Sequence, residues 1–261
     1  IMRFALPLAP DAGREWAWLA IALGLAAVLY GALIALVQLN LRRLIVFASV
    51  SHVGLILAAL FSLNEQAWQG ALLLMLNAGL ATAGLFMGAG FLQRRLGSTE
   101  LSSLGGLARQ VPRLACFCFV AGLALIGLPG TSGFAGELLA MSGAYKVHWA
   151  YGMVAVLGVI LSAGYFLWFY QRAFFGPITN PAARSLRDLD GTEMAVAAVF
   201  MALLFGLGFA PKPMVDATAG SVPAMTERVR VGALPPAPAP LEPTATGAPV
   251  RTVGISGGRE P

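Results

Sequence analysis

The chain has 261 residues, of which 58% are hydrophobic and only 11% are charged. A soluble domain carries about 25% charged residues and a disordered chain is poor in apolar ones, so both classes are excluded. The net charge of +5 comes from arginines in short loops between apolar runs, a sign of orientation in a bilayer before it is one of nucleic-acid binding. Two cysteines exclude a disulfide scaffold.

The apolar runs approach the roughly 20 helical residues needed to cross a hydrocarbon core about 30 Å thick. They lack the polar–apolar alternation of barrel strands. The expected class is an all-α polytopic membrane protein with about six transmembrane helices. In chain order the spans are Trp16–Val37, Leu44–Leu63, Ala67–Leu92, Leu114–Tyr145, Trp149–Tyr170 and Met194–Phe209. The fourth is interrupted by Leu128-Pro129-Gly130-Thr131-Ser132-Gly133.

Residues 1–15 form a lead-in, 16–210 the helix bundle, and 211–230 a mixed interfacial segment. Residues 231–261 form a tail with seven prolines, expected to be disordered. The connection Arg94–Pro112 is expected to lie flat at the interface as a short amphipathic stretch. Loops after spans one, three and five hold Arg42, Arg43, Arg94, Arg95, Arg109, Arg113, Arg172, Arg184 and Arg187. The opposite side has Arg3, Arg14, Lys146 and Lys212 near its helices. The arginine-rich side is therefore expected to face the cytoplasm of a bacterial inner membrane.

Eleven of the twelve acids fall in loops, at span ends or in the tail, and the exception is Glu137. A charge at the bilayer centre costs about 2.5–3.5 kcal/mol even on the lenient insertion scale. Glu137 is read either as a structural carboxylate held by a neighbouring helix or as a proton or cation site. Pro129, Gly130 and Gly133 break the helix just before it, and transporters build ion sites at such breaks. His52 lies near the middle of the second span, as a neutral cross-helix bridge or as a proton carrier beside Glu137. Ser49, which shares a helix face with His52, together with Ser51, Asn77 and Thr82, offers polar groups for a water file. Cys116-x-Cys118 lacks partner ligands and reads as packing. No phosphate loop, dinucleotide fingerprint or catalytic triad is visible, and no metal site or cofactor is expected in this chain.

Two segments carry a resemblance. Arg42-Arg43-Leu44-Ile45-Val46-Phe47-Ala48-Ser49-Val50-Ser51-His52-Val53-Gly54 and Gly127-Leu128-Pro129-Gly130-Thr131-Ser132-Gly133-Phe134-Ala135-Gly136-Glu137 resemble the antiporter-like subunits of respiratory complex I, most of all the M type. Gln69-Gly70-Ala71, Gly105-Gly106-Leu107 and Tyr170-Gln171-Arg172-Ala173-Phe174-Phe175-Gly176-Pro177 fit the same family. The resemblance implies the second five-helix inverted repeat of the antiporter-like fold plus one terminal helix. Glu137 would be the terminal proton carrier and His52 the first histidine before it. The family's central lysine would precede Ile1. Ala78 stands where a second histidine is usual, so either a water bridges His52 and Glu137 or this copy of the relay is partly degenerate. Partners would be other membrane subunits of the complex, with NADH, flavin, iron–sulfur clusters and quinone handled by partner subunits. Multisubunit cation/proton antiporters and membrane-bound hydrogenases share the fold and stand as alternatives, as does a non-conducting half-subunit.

Overall fold

The computed structural model describes residues 1–231 apart from Arg3 and Thr179. The expected proline-rich tail falls almost wholly outside the described residues. Among the described residues the chain is helical, with no strand and one isolated bridge between Asn40 and Glu100. Short helices α1 (Ala5–Leu8) and α2 (Pro10–Glu15) lead into α3 (Ala17–Leu36), α4 (Leu41–Phe61) and α5 (Glu65–Leu96). The short α6 (Leu107–Gln110) precedes α7 (Pro112–Leu125) and α8 (Ser132–Val147), followed by α9 (Trp149–Phe174) and α10 (Gly191–Phe209). Two more helices, α11 (Lys212–Thr218) and α12 (Ser221–Val231), complete the described chain.

Among these, α3, α4, α5, α9 and α10 are long and apolar enough to cross a membrane. At 1.5 Å per residue, α7 and α8 measure only about 21 and 24 Å. In chain order they take the place of one span, interrupted over residues 126–131. The expected break ran to Gly133, but the helix resumes at Ser132, so Gly133 lies in the first turn of α8. Its missing side chain serves close packing instead: a Cβ there would meet Asn77 Nδ2 at 2.9 Å and Gly127 Cα at 3.1 Å.

Lipid gives helices no hydrophobic reason to associate, so small residues that let backbones approach matter more. Gly24 of α3 faces Gly54 of α4, and Gly31 meets the α4 backbone at Phe47 and Ser51. Between α5 and α8, Gly70 lies against Ala140, Gly136 against Leu74, and Gly143 against Ala67. These contacts hold α8 beside α5 and fix the rotation that turns Glu137 inward.

The arginine-rich end is tied together by polar contacts. Asn40 caps α4, its Oδ1 accepting from Arg42 N at 3.0 Å and from Thr99 Oγ1 at 3.2 Å. Within residues 94–112, Leu104, Leu107 and Val111 are buried. Backbone pairing holds the loop on the bundle: Leu41 N donates to Thr99 O and Leu101 N to Leu39 O. Arg95 pairs with Glu193 and donates to the carbonyls of Arg187 and Asp188. The Asp188 carboxylate accepts from Arg113 N at 2.9 Å and Leu114 N at 3.1 Å, in the first turn of α7. At the opposite end, Val222 and Val229 of α12 pack with Leu6 and Trp68.

Candidate functional site

The break in the fourth span creates a chemical problem. The last carbonyls of α7 lose their intrahelical partners, and buried carbonyls need donors. N–H groups of the break itself meet the carbonyls of Gly122, Leu123 and, at 3.4 Å, Ala124, and two side chains add donors at the last carbonyls. Asn77 of α5 donates from Nδ2 to Ala124 O at 3.1 Å, while its Oδ1 accepts from Ser132 Oγ at 2.6 Å. One buried amide thus joins both sides of the break. His52 of α4 meets the next carbonyl, with Nε2 2.7 Å from Leu125 O. The turn between needs positive φ at Gly127 (65°) and Gly130 (91°), which L side chains rarely adopt.

The other ring nitrogen of His52, Nδ1, is 2.8 Å from Ala48 O. Both nitrogens therefore face carbonyl oxygens, which only accept. A neutral imidazole has one N–H and the imidazolium has two, so the charged form alone satisfies both contacts. Its counter-charge is at hand: His52 Nε2 lies 3.6 Å from Glu137 Oε1, and the two residues are 5% and 3% exposed. Sequence reasoning allowed for a water between them, but α4 and α8 come close enough for direct contact. Glu137 is the sixth residue of α8. The helix dipole fades beyond the first turn, so the adjacent histidine is the stronger influence on the carboxylate.

A small cavity of about 10 Å³, room for roughly one water, adjoins the pair. Ser51, His52, Glu137 and Ser162 supply its polar lining, with Val28, Leu55, Ala155 and Val159 around them. Ser51 also donates to Val28 O at 2.9 Å. Ser49 is not part of this site. It donates to Ile45 O in its own helix and borders a separate apolar groove with Val46, Val50 and Val53. Thr82 is half-buried and does not line the cavity. Pro129 and Gly130 lie in the break as expected.

Sequence reasoning missed Ser132 and Ser162. Ser162 stands alone in an apolar run of α9 and gave no pairing signal; Ser132 was visible only as part of the break. Among the described residues no group of three or more His, Cys, Asp or Glu is placed to hold a metal ion.

Residues 1–162 match the family described as NADH:quinone oxidoreductase/Mrp antiporter, TM. A subunit M of NADH-quinone oxidoreductase from Mycobacterium tuberculosis (strain CDC 1551 / Oshkosh) is 39% identical over 216 residues, 83% of this chain and 39% of that protein. A chain of respiratory complex I from Thermus thermophilus with bound NADH superposes with a TM-score of 0.83 at 33% identity, over 87% of this chain and 48% of that one. A chain of the Mrp complex from Dietzia sp. DQ12-45-1b shares the fold, with a TM-score of 0.75 at 20% identity. The chain spans less than half the length of these curated and complex I relatives. By the match over most of its membrane bundle, it belongs to the NADH:quinone oxidoreductase/Mrp antiporter transmembrane family.

Proposed function

We propose that this chain forms the outward part of a proton path in a membrane subunit of an NADH:quinone oxidoreductase, with His52 handing protons to Glu137. One observation carries the reading: a buried histidine and a buried carboxylate 3.6 Å apart, beside a broken helix. Transfer of one proton from Nε2 to Oε1 turns a charged pair into a neutral one. The charged state benefits from mutual attraction and both carbonyl contacts, and the neutral state avoids the desolvation cost of two buried ions, several kcal/mol each. Opposed terms of similar size favour exchange over a fixed protonation state.

The redox chemistry would belong to partner subunits carrying NADH, flavin, iron–sulfur clusters and quinone. Likeness in sequence to a subunit M, against likeness in fold alone to the Mrp chain, favours complex I over an antiporter assembly. The arginine-rich end would face the cytoplasm of the bacterial inner membrane, by the excess of Lys and Arg there.

Glu137→Gln keeps size and loses titration, whereas Glu137→Asp keeps titration on a shorter stem. In the assembled complex, Gln should abolish most proton pumping per electron at normal complex abundance, and Asp should retain part of it. Normal pumping in the Gln variant at normal abundance would remove Glu137 from the mechanism.

A further inference from the structure

Among the described residues, one buried side-chain polar atom has no hydrogen-bond partner: the hydroxyl oxygen of Tyr165. The residue is fully enclosed, at 0% exposure, on α9. Burying a hydroxyl without a partner is destabilising, and phenylalanine would fill the same space at no such cost. The orphan also has a location. Tyr165 lies three residues from Ser162, which lines the cavity of the His52–Glu137 pair, so the two share a face of α9. Helix α9 packs along α8, the helix that carries Glu137. Among the described residues, the ionic contact of the Glu137 carboxylate is His52, which stands just beyond hydrogen-bond length.

We propose that Tyr165 is a positioning residue for Glu137, its hydroxyl hydrogen bonding the carboxyl, through one water or after a small turn of that group away from His52, once Glu137 has taken a proton. The inference rests on the proton-carrying reading of Glu137 above. In the transfer, the Nε2–H bond of His52 breaks, its electron pair stays on nitrogen, and a lone pair on Oε1 forms the new O–H bond. Neutral His52 then attracts the acid less. The acid has a carbonyl oxygen that accepts from the Tyr165 O–H, and its own O–H finds an acceptor in the phenol oxygen or the water. A tyrosine can serve both needs and a phenylalanine neither. Tyr165 thus holds the protonated carboxyl in the orientation that leaves His52.

The test uses the whole chain in lipid and infrared difference spectra between acidic and neutral buffer. The C=O stretch of protonated Glu137 is identified by its loss in Glu137→Gln. In Tyr165→Phe the band is expected at higher frequency, because a carboxyl with fewer hydrogen bonds has a stiffer C=O. Para-fluorophenylalanine at position 165 keeps the ring volume and should give the same direction. A band that stays in place in both variants overturns the role of Tyr165 and leaves Glu137 as the carrier. Absence of any band lost in Glu137→Gln overturns the proton reading and this proposal with it.

Discussion

Gly127 lies directly against the Glu137 carboxylate: a Cβ at this glycine would overlap Oε2 and Cδ. The same residue has φ 65°, in the left-handed region. It therefore has two reasons to lack a side chain, one conformational and one that concerns the site. Gly127→Ala should cost about 1–2 kcal/mol from backbone strain, and it should also push the carboxylate out of its place beside His52. The expected result is a lower melting temperature in detergent together with loss of most proton pumping in the assembled complex. A variant that melts lower but pumps normally would mean that the carboxylate works from another position.

Asn77 should prove to be the residue that holds the break. Its amide satisfies Ala124 O on one side and Ser132 Oγ on the other. Asn77→Ala removes both contacts, leaving Ala124 O with the long bond from Gly127 N at 3.4 Å and Ser132 Oγ without this acceptor, at a cost of roughly 1–3 kcal/mol. Ser132→Ala removes only one of the two contacts and should destabilise less. Thermal melts of the two variants check the order, and equal losses would show that the Gly127 N–H suffices for the Ala124 carbonyl.

Much of this architecture could be read from residues, and the failures have physical reasons. Apolar run length placed the spans to within a few residues, because a bilayer tolerates few other solutions. Pro129 and Gly130 announced the break. Glu137 was conspicuous as a lone intramembrane acid. Helix rotation was less legible. Ser49 and His52 are three apart, yet Ser49 faces the apolar groove while Ser51 reaches the site. That choice is set by where α3 docks through Gly24 and Gly31, which no pattern within α4 records. Gly133 looked like part of the break and is a contact point within α8. The direct meeting of His52 and Glu137 depends on the α5–α8 glycine packing, a long-range fact. Ser162 carried no pattern that separated it from an ordinary apolar helix, and Tyr165 reads in the sequence only as part of an aromatic cluster, Tyr165–Tyr170, that anchors a span end.

The arginine-rich loops make a prediction that is independent of the site. Cysteines introduced at Ser98 and Asn180, with Cys116 and Cys118 replaced, should resist an impermeant thiol reagent in intact cells and react after lysis. The basis is the distribution of nine arginines to one side of the bundle. Labelling of both positions from outside would invert the topology.

Asp188 should stabilise the broken helix from its far end. Its carboxylate accepts from two backbone N–H groups at the start of α7, and Arg95 fixes the loop that carries it. Asp188→Ala should cost about 0.5–2 kcal/mol, as expected for loss of an N-terminal cap. Asp188→Asn keeps an acceptor and should recover much of that loss. Melting temperatures of the two variants decide it. Equal destabilisation would show that the charge matters and the hydrogen bonds do not.

The pair itself is best tested by a double-mutant cycle. His52→Gln retains one donor and removes the charge, and Glu137→Gln removes the other charge at nearly constant volume. Each single variant leaves one ionisable group buried without its counterpart, which typically costs 3–5 kcal/mol (about the upper limit expected here). The double variant leaves no buried charge at all. It should therefore be less destabilised than the sum of the singles, with a coupling of roughly 0.5–3 kcal/mol. Unfolding of the four proteins in detergent by heat or denaturant gives the number. Pumping should be lost in the double variant even where its stability recovers, since no proton carrier remains at either position. Additive stabilities would mean that His52 and Glu137 are not ionised together in the resting protein, and that the transfer starts from the neutral pair.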